Sequence, residues 1–575
     1  MGEVSSVSGA RWGRSRRPWG LVVTTLGVLL GGGLLSVAAP VAGALVPVAT
    51  TTGPLTCQGD PATSGAMLAT AIARASGTTT ISLAANCTYS VGEACHSGSV
   101  GPDAFAPVVP GESLTIEGNG STIEVSGGAA MRLFQVDAGG SLTMSDLTLT
   151  GGHDASIHGG GAIWSAGSLV VTGTAFLDDT ASGNGGAIAS TGTLTVSGSA
   201  FRYDTAGYDG GAIASGDGGG PATATVASSV FSHDAAGVSG SAADGGAIDS
   251  GDHGGTGTLE VSESTFSSDV VGSSTAMAFT AGGAIASGVN GTGELTATAS
   301  AFTGDQALAA AIPAVPEEAQ PLAIGGAIAA GGKDGGGGAL AVTVSTFQGN
   351  AATYGAAVAE AVPGSIVAST LAGNVATATS RAFGMSPSTL LLGSRTTLAA
   401  NLIADAPAGG GACDLAGGHL VDGGYNLVSD RSCGLTAGTS KVVAALSSFL
   451  DPLALNGGPT ATMRPKRSGS DPAVGVIPSG TPSPPGAPGY PNLCGRTDQT
   501  GYTSPAFAPC AVGAYEPRST PSPSVPSLAP AFTGPVVNPA GVPVPLLTPS
   551  LTVEGPVVQV PYGSPLPELL PTCSG

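Results

Sequence analysis

Four near-identical hexapeptides decide how this chain is read: GGAIAS at residues 185–190, 210–215 and 282–287, and GGAIDS at 245–250. The isoleucine of the motif recurs at Ile163, Ile188, Ile213, Ile248, Ile285 and Ile328, with a degraded copy, Gly355-Ala356-Ala357-Val358. Its first two spacings are 25 residues, and the later ones lengthen to 35, 37 and 43. A second motif alternates with it. An apolar residue at Phe176, Phe201, Phe231, Phe266, Phe302, Phe347 and Leu371 is followed three positions later by Asp179, Asp204, Asp234, Asp269, Asp305, Asn350 and Asn374.

In the shortest units Phe follows Ile by 13 residues and the next Ile follows Phe by 12, so each repeat holds two half-turns. The connecting segments, such as GSLVVTGTAF, alternate β-branched with small residues between Gly, Ser and Asp, the pattern of short strands and turns. A unit of about 25 residues suits one coil of a parallel β-helix, whose strands pair with their equivalents in the next coil at about 4.8 Å. The predicted fold is therefore all-β, a right-handed parallel β-helix. Phe and Ile would form internal columns. Each buried Phe contributes about 1.5–3 kcal/mol. The paired glycines would turn a corner that needs positive φ or close backbone approach.

The column Asp179, Asp204, Asp234, Asp269, Asp305 raises an electrostatic question. Two charges about 4.8 Å apart repel by about 1 kcal/mol in water and about 3.5 kcal/mol at an effective dielectric near 20. The expectation is that these carboxylates cap turn N–H groups at a wet surface; bridging by cations such as calcium is the alternative. Insertions fall after the Phe-x-x-Asp motif, as in QALAAAIPAVPEEAQPLA, or after the isoleucine motif, as in GDGGGPATA and GDHGGTG. Solenoids extrude such insertions as loops that form contact surfaces.

Composition agrees with an array. Of 575 residues 95 are Gly, charged residues make up 10% and aromatics 4%, too few aromatics for a thick core, whereas 42% hydrophobic residues exclude a wholly disordered chain. The formal charge of −21, with only Lys333, Lys441 and Lys466 as lysines, excludes a nucleic-acid or anionic-membrane partner. Arg11, Arg14, Arg16 and Arg17, then an apolar run, then Ala42-Gly43-Ala44 form the pattern of a secretory signal peptide over 1–44. Twin-arginine export at Arg16-Arg17 and an uncleaved anchor are the alternatives, and stable membrane insertion after cleavage is not expected. Export permits disulfides, and Cys413–Cys433 and Cys494–Cys510 are the expected pairs. The pairing of Cys57, Cys87, Cys95 and Cys573 stays open. No Cys or Cys/His zinc spacing occurs.

The remaining organisation is an N-terminal cap at 45–110, with a helix in SGAMLATAIARAS and a strand in TTISLAANCTYSV; repeats over 111–400; C-terminal coils and a disulfide-bonded cap closing the end at 401–516; and a Pro-rich disordered tail at 517–575.

Gly-Gly-Ala-Ile alternating with Phe-x-x-Asn resembles the repeat of polymorphic outer membrane proteins, adhesin-like β-helix passengers, although here Asn is mostly Asp. The Pro-rich end does not fit their membrane barrel. CDLAGGHLVDGGYNLVSDRSC (413–433), DPLALNGGPTATMRP (451–465), RTDQTG (496–501) and CAVGAYE (510–516), in that order, resemble the end of the choice-of-anchor Q domain proteins. TIEGNGSTIEVSGGAAMRLFQVDAGGSLTMSDLTLTGG resembles their opening coils. That resemblance covers most of 111–516 and implies a secreted bacterial β-helix protein, without a defined reaction.

No catalytic, cofactor-binding or metal-ligating residue is assigned. Asp178-Asp179 is an adjacent carboxylate pair within the repeat motifs, and neighbouring strand residues point to opposite faces. Arg132, Arg202, Lys333, Arg381 and Arg395 are isolated, without the basic group beside a calcium cluster that a polysaccharide lyase needs. His153, His158, His233 and His253 read as surface turn residues, and the Gly/Asp segments at Asp217, Asp252 and Asp334 as plain turns. No P-loop tripeptide occurs. The expected function is a monomeric, non-enzymatic, secreted or cell-surface scaffold, adhesin-like, with an extracellular glycan or a host or cell-surface protein as partner. The rival is a carbohydrate-active enzyme of the pectate-lyase or polygalacturonase kind.

Overall fold

The computed structural model describes residues 50–518, apart from 218–219, 241, 274–278, 310–321, 333–336, 379–383, 406–409, 467–470, 486–490 and 505–507. The expected leader, the Pro-rich tail, Cys573, Lys333, Asp334 and Arg381 lie outside the described residues.

One coil shows how the repeat folds. Strand Ile188–Ser190 leads into Thr193–Ser197, then Ala200–Arg202, then Thr205–Ala206, and the chain returns at Ile213, directly beside Ile188. Leu194 pairs with Ala224, Phe201 with Phe231 and Thr205 with Ala235, all in parallel. Stacked coils thus build a ten-stranded sheet carrying the isoleucines, an eight-stranded sheet, and a large sheet that holds both the Leu-x-Val and the Phe strands. The fold is a parallel β-helix.

The motif residues act as their chemistry requires. Gly210 has φ 65°, a left-handed conformation, while a Cβ on Gly211 would lie 2.0 Å from the carbonyl oxygen of Gly246 in the next coil. One glycine turns the corner and the other lets two backbones meet. Phe176, Phe201, Phe231, Phe266, Phe302 and Phe347 form a continuous stack with ring centroids 4.6–5.0 Å apart, and every one is fully buried. This column, with the buried isoleucines, is the core.

Both ends depart from expectation. Strand Thr50–Leu55 pairs with Thr78–Leu83, which pairs with Ser113–Val125, so regular coiling begins ahead of residue 111. The helix does form, at Pro61–Ala73, started by Asp60 accepting from the Thr63 N–H at 3.1 Å and by Pro61 in the first turn. Its Leu68 and Ile72 join the core column.

At the other end, coils continue to strand Lys441–Val442, after which the described residues between 446 and 516 pack back along the flank of earlier coils. There Leu446, Ile477, Leu493 and Val512 pack on Val344, Val367 and Leu402. Gln499 donates to the Ser300 carbonyl at 3.1 Å and accepts from Thr346 Oγ1 at 2.6 Å. Disulfides join Cys413 to Cys433 and Cys494 to Cys510, as the spacing implies, and Cys57 to Cys87. Cys95 is disulfide-bonded too.

The insertions are not simple loops. Ala243–Asp244, Phe279–Ala281 and Leu322–Ile324 form a parallel three-stranded sheet of their own. Phe279 and Ile324 from this layer pack with Ala286 and Ala329 on the isoleucine strands. Among the described residues no helix is long and apolar enough to cross a membrane.

Candidate functional site

The aspartate column is a ladder inside the protein rather than a wet surface, which corrects the sequence expectation. Asp179, Asp204, Asp234, Asp269, Asp305 and Asn350 are all fully buried. Each Oδ1 accepts the backbone N–H of the residue one coil earlier. Asp204 Oδ1 receives Asp179 N–H at 2.9 Å, Asp234 receives Asp204 at 3.0 Å, Asp269 receives Asp234 at 3.0 Å, and Asp305 receives Asp269 at 3.1 Å. Capping is therefore real, but it takes place in the interior. Burial pushes the carboxyls of Asp179, Asp204, Asp234 and Asp269 well above the usual carboxylate range, and Asp305 to about 7.

Asn350 and Asn374, the next rungs, show what fits the second oxygen's place. Their Nδ2 groups donate to the carbonyls of Phe302 and Phe347 at 3.0 and 3.1 Å. A protonated Oδ2 would be the isostere of that donor at Asp179, Asp204, Asp234 and Asp305, whereas Asp269 Oδ2 accepts the Ser267 N–H at 3.2 Å. The ladder is a structural element in which aspartate and asparagine Oδ1 atoms cap the same backbone N–H in coil after coil.

Several other residues singled out in the sequence are structural as well. Asp178 is exposed while Asp179 is buried, so the adjacent pair shares no site. Arg132 is not isolated: it is fully buried between Asp103 at 2.8 Å and Asp154 at 3.0 Å. Asp154 is committed to Arg132, Ser156 and Gly159 and is not offered to His153. Within RTDQTG, Arg496 is buried and donates to the carbonyls of Ala511 and Gly513, and Gln499 docks the fold-back on the flank.

A cleft of about 430 Å³ remains on the outer face of the isoleucine sheet. Its floor is Ala189 and Ala214, the small residues that follow Ile188 and Ile213. It exists because the coils through Ile163 and Ile188 carry no insertion, whereas the coils from Ile213 onward do. The layer of inserted strands begins there, leaving a step. Trp164 stands on the short-coil side, with His158 and Asn184 beside it; Tyr208, Asp217 and His253 come from later turns. Tyr208 is 41% exposed, and Ile157 at the rim is 82% exposed. Aromatic faces beside amide, imidazole and carboxylate groups are the chemistry of a polar, ring-shaped ligand.

Behind one wall the turn residues gather carboxylates. Asn184, Asp209 and Asp244, each immediately before a Gly-Gly pair, stack in successive coils: Asn184 Oδ1 accepts Asp209 N–H at 3.3 Å, and Asp209 Oδ1 accepts Asp244 N–H at 2.9 Å. Asp217, Asp252 and Asn290, just after the strands, stack likewise. Asp217 Oδ1 accepts Asp252 N–H at 3.4 Å, and Asp252 Oδ1 accepts the Asn290 N–H at 2.6 Å. Asp249 projects between the two ladders. Burial, then neighbouring carboxylates, raise the pKa values of Asp209, Asp244 and Asp249 well above the ordinary range.

Asp217, Asp252 and His253 do occupy turns, as the sequence implies, but turns that converge. Asp209 and Asp244 are not among the residues the sequence singles out, although their place before each Gly-Gly is a repeat position like any other. No family model matches the chain, and no curated protein matches it.

Proposed function

We propose that the protein is exported and acts at the cell surface or in the extracellular space as a β-helix scaffold that binds saccharide, in the manner of an adhesin. The observation that carries this reading is the cleft with half-buried Trp164 and exposed Tyr208 set beside Asn184, Asp217 and two histidines. Sugar rings stack their C–H faces on aromatics and give their hydroxyls to amides and carboxylates, and the cleft presents both. The disulfides suit an oxidising compartment, as does the leader expected over 1–44. The resemblance to choice-of-anchor Q domain proteins points the same way.

A glycan array probed with the wild type and with Trp164→Ala tests the proposal. Binding to a saccharide class that Trp164→Ala loses supports it; equal binding by both proteins removes the cleft from the account. Release of reducing or unsaturated ends from a polysaccharide panel would replace it with the carbohydrate-active enzyme reading.

A further inference from the structure

The carboxylates behind the cleft differ from the ladder aspartates in what their second oxygens face. Asp209, Asp244, Asp249 and Asp252 are 1%, 4%, 0% and 0% exposed, and Asp217 adjoins them. Among the described residues, the only cation-forming side chain paired with any of them is His253. Turn capping accounts for Asp209 Oδ1 and Asp252 Oδ1, which accept backbone N–H groups. It does not account for Asp209 Oδ2, which is buried, has no hydrogen-bond donor, and points at His253 Nδ1 from 3.3 Å. Nor does it account for Asp249, both of whose oxygens are buried without a donor. Asp249 instead confronts the carboxyl of Asp217, and Asp244 that of Asp252. Carboxylates turned toward one another and toward an imidazole nitrogen share either protons or a cation.

We propose that Asp209 Oδ2, Asp252 Oδ2 and His253 Nδ1 bind a divalent cation at the wall of the cleft. Each of the three residues offers a ligand atom within 4.8 Å of those of the other two, and His253 Nδ1 lies 3.3 Å from Asp209 Oδ2 and 4.0 Å from Asp252 Oδ2. Donors about 2.0–2.6 Å from a single ion are separated by such distances. The imidazole selects among ions. An all-oxygen set would suit calcium, whereas one nitrogen with two carboxylates suits Zn²⁺ or Mn²⁺. Asp217, Asp244 and Asp249 add negative potential that draws a cation in.

The ligands come from two coils. Asp209 precedes the Gly-Gly corner of one, and Asp252-His253 sit in the GDHGGTG insertion of the next, so the site requires the register of the solenoid. His253 is 56% exposed and lines the cleft, which gives an ion a path in from solvent.

The test is calorimetric titration of the EDTA-treated full chain with ZnCl2, MnCl2 and CaCl2, alongside Asp209→Asn and His253→Gln. Asn at 209 keeps the oxygen that receives the Asp244 N–H, and His253 is exposed, so both variants should fold, which circular dichroism checks. The expected result is one equivalent of Zn²⁺ or Mn²⁺, bound more tightly than Ca²⁺, with affinity falling by about 10-fold or more in each variant. Binding of none of the three ions would overturn the proposal. So would binding that is unchanged in Asp209→Asn, or Ca²⁺ uptake indifferent to His253→Gln. The readout is metal binding alone, so it stands or falls separately from saccharide capture.

Discussion

Replacing Asp305 by Asn should stabilise the protein at neutral pH and leave it unchanged in acid. Asp305 is fully buried, and burial raises its pKa from 3.8 to about 7. Between those values the folded chain holds a proton that the unfolded chain has released. Stability therefore falls as pH rises from about 4 to 7, then levels off. At about 1.36 kcal/mol per pKa unit, the full penalty at pH 7 is about 4 kcal/mol.

Asn does not titrate and escapes this penalty. The fit is already present one coil on, where Asn350 accepts the Asp305 N–H at 2.9 Å and donates to the Phe302 carbonyl at 3.0 Å. For the roughly 420 described residues the unfolding entropy is about 0.9 kcal/mol/K, so the gain at pH 7 corresponds to about 4 °C in Tm. Thermal melts of wild type and Asp305→Asn, followed by circular dichroism from pH 3.5 to 8, measure it. The two should coincide at pH 3.5 and separate steadily up to pH 7. A lower Tm for the variant at every pH would refute a neutral ladder and favour ionised carboxylates held by cations. So would a difference that does not change with pH.

Other consequences follow from packing and backbone. Phe266→Ala interrupts the aromatic stack between Phe231 and Phe302 and should cost about 3–5 kcal/mol, read as a lower urea midpoint. Arg132→Ala strands the buried carboxylates of Asp103 and Asp154 and should cost about 3–5 kcal/mol at pH 7. The loss should shrink in acid, because burial already holds Asp103 at about 7 and its protonation removes the stranded charge. Ser268 has φ 59° at the corner where Gly304 takes φ 71° in the next coil. Ser268→Gly should relieve left-handed strain and raise stability by up to about 1 kcal/mol, measured by urea denaturation.

The repeat made most of the fold readable, because a solenoid writes each structural position several times over. Ile188 beside Ile213, Phe201 on Phe231 and the Gly210-Gly211 corner all follow from one 25-residue period. The depth of the Asp column did not follow. Whether a corner is wet depends on what lies outside it, and the period carries no such information. The fold-back at 446–516 escaped for a related reason: its contacts, such as Gln499 with Ser300, join segments that share no repeat. The cleft was half visible. Trp164, Tyr208 and His253 stand at unrelated places in their repeats, and only the step between plain and inserted coils brings them together. Asp209 and Asp244 precede Gly-Gly pairs whose corner role already explains the motif, so their sequence position alone does not distinguish them from turn residues.

Trp164 makes the central claim directly measurable. The chain has three tryptophans, Trp12, Trp19 and Trp164, so protein starting at residue 45 carries one tryptophan, selectively excited at about 295 nm, and it lines the cleft. Titrating that protein with the saccharides that bind on the array should shift or quench its emission saturably, with no such change for non-binding sugars. Saccharide binding that leaves the emission of Trp164 untouched would place recognition elsewhere on the solenoid and contradict the account.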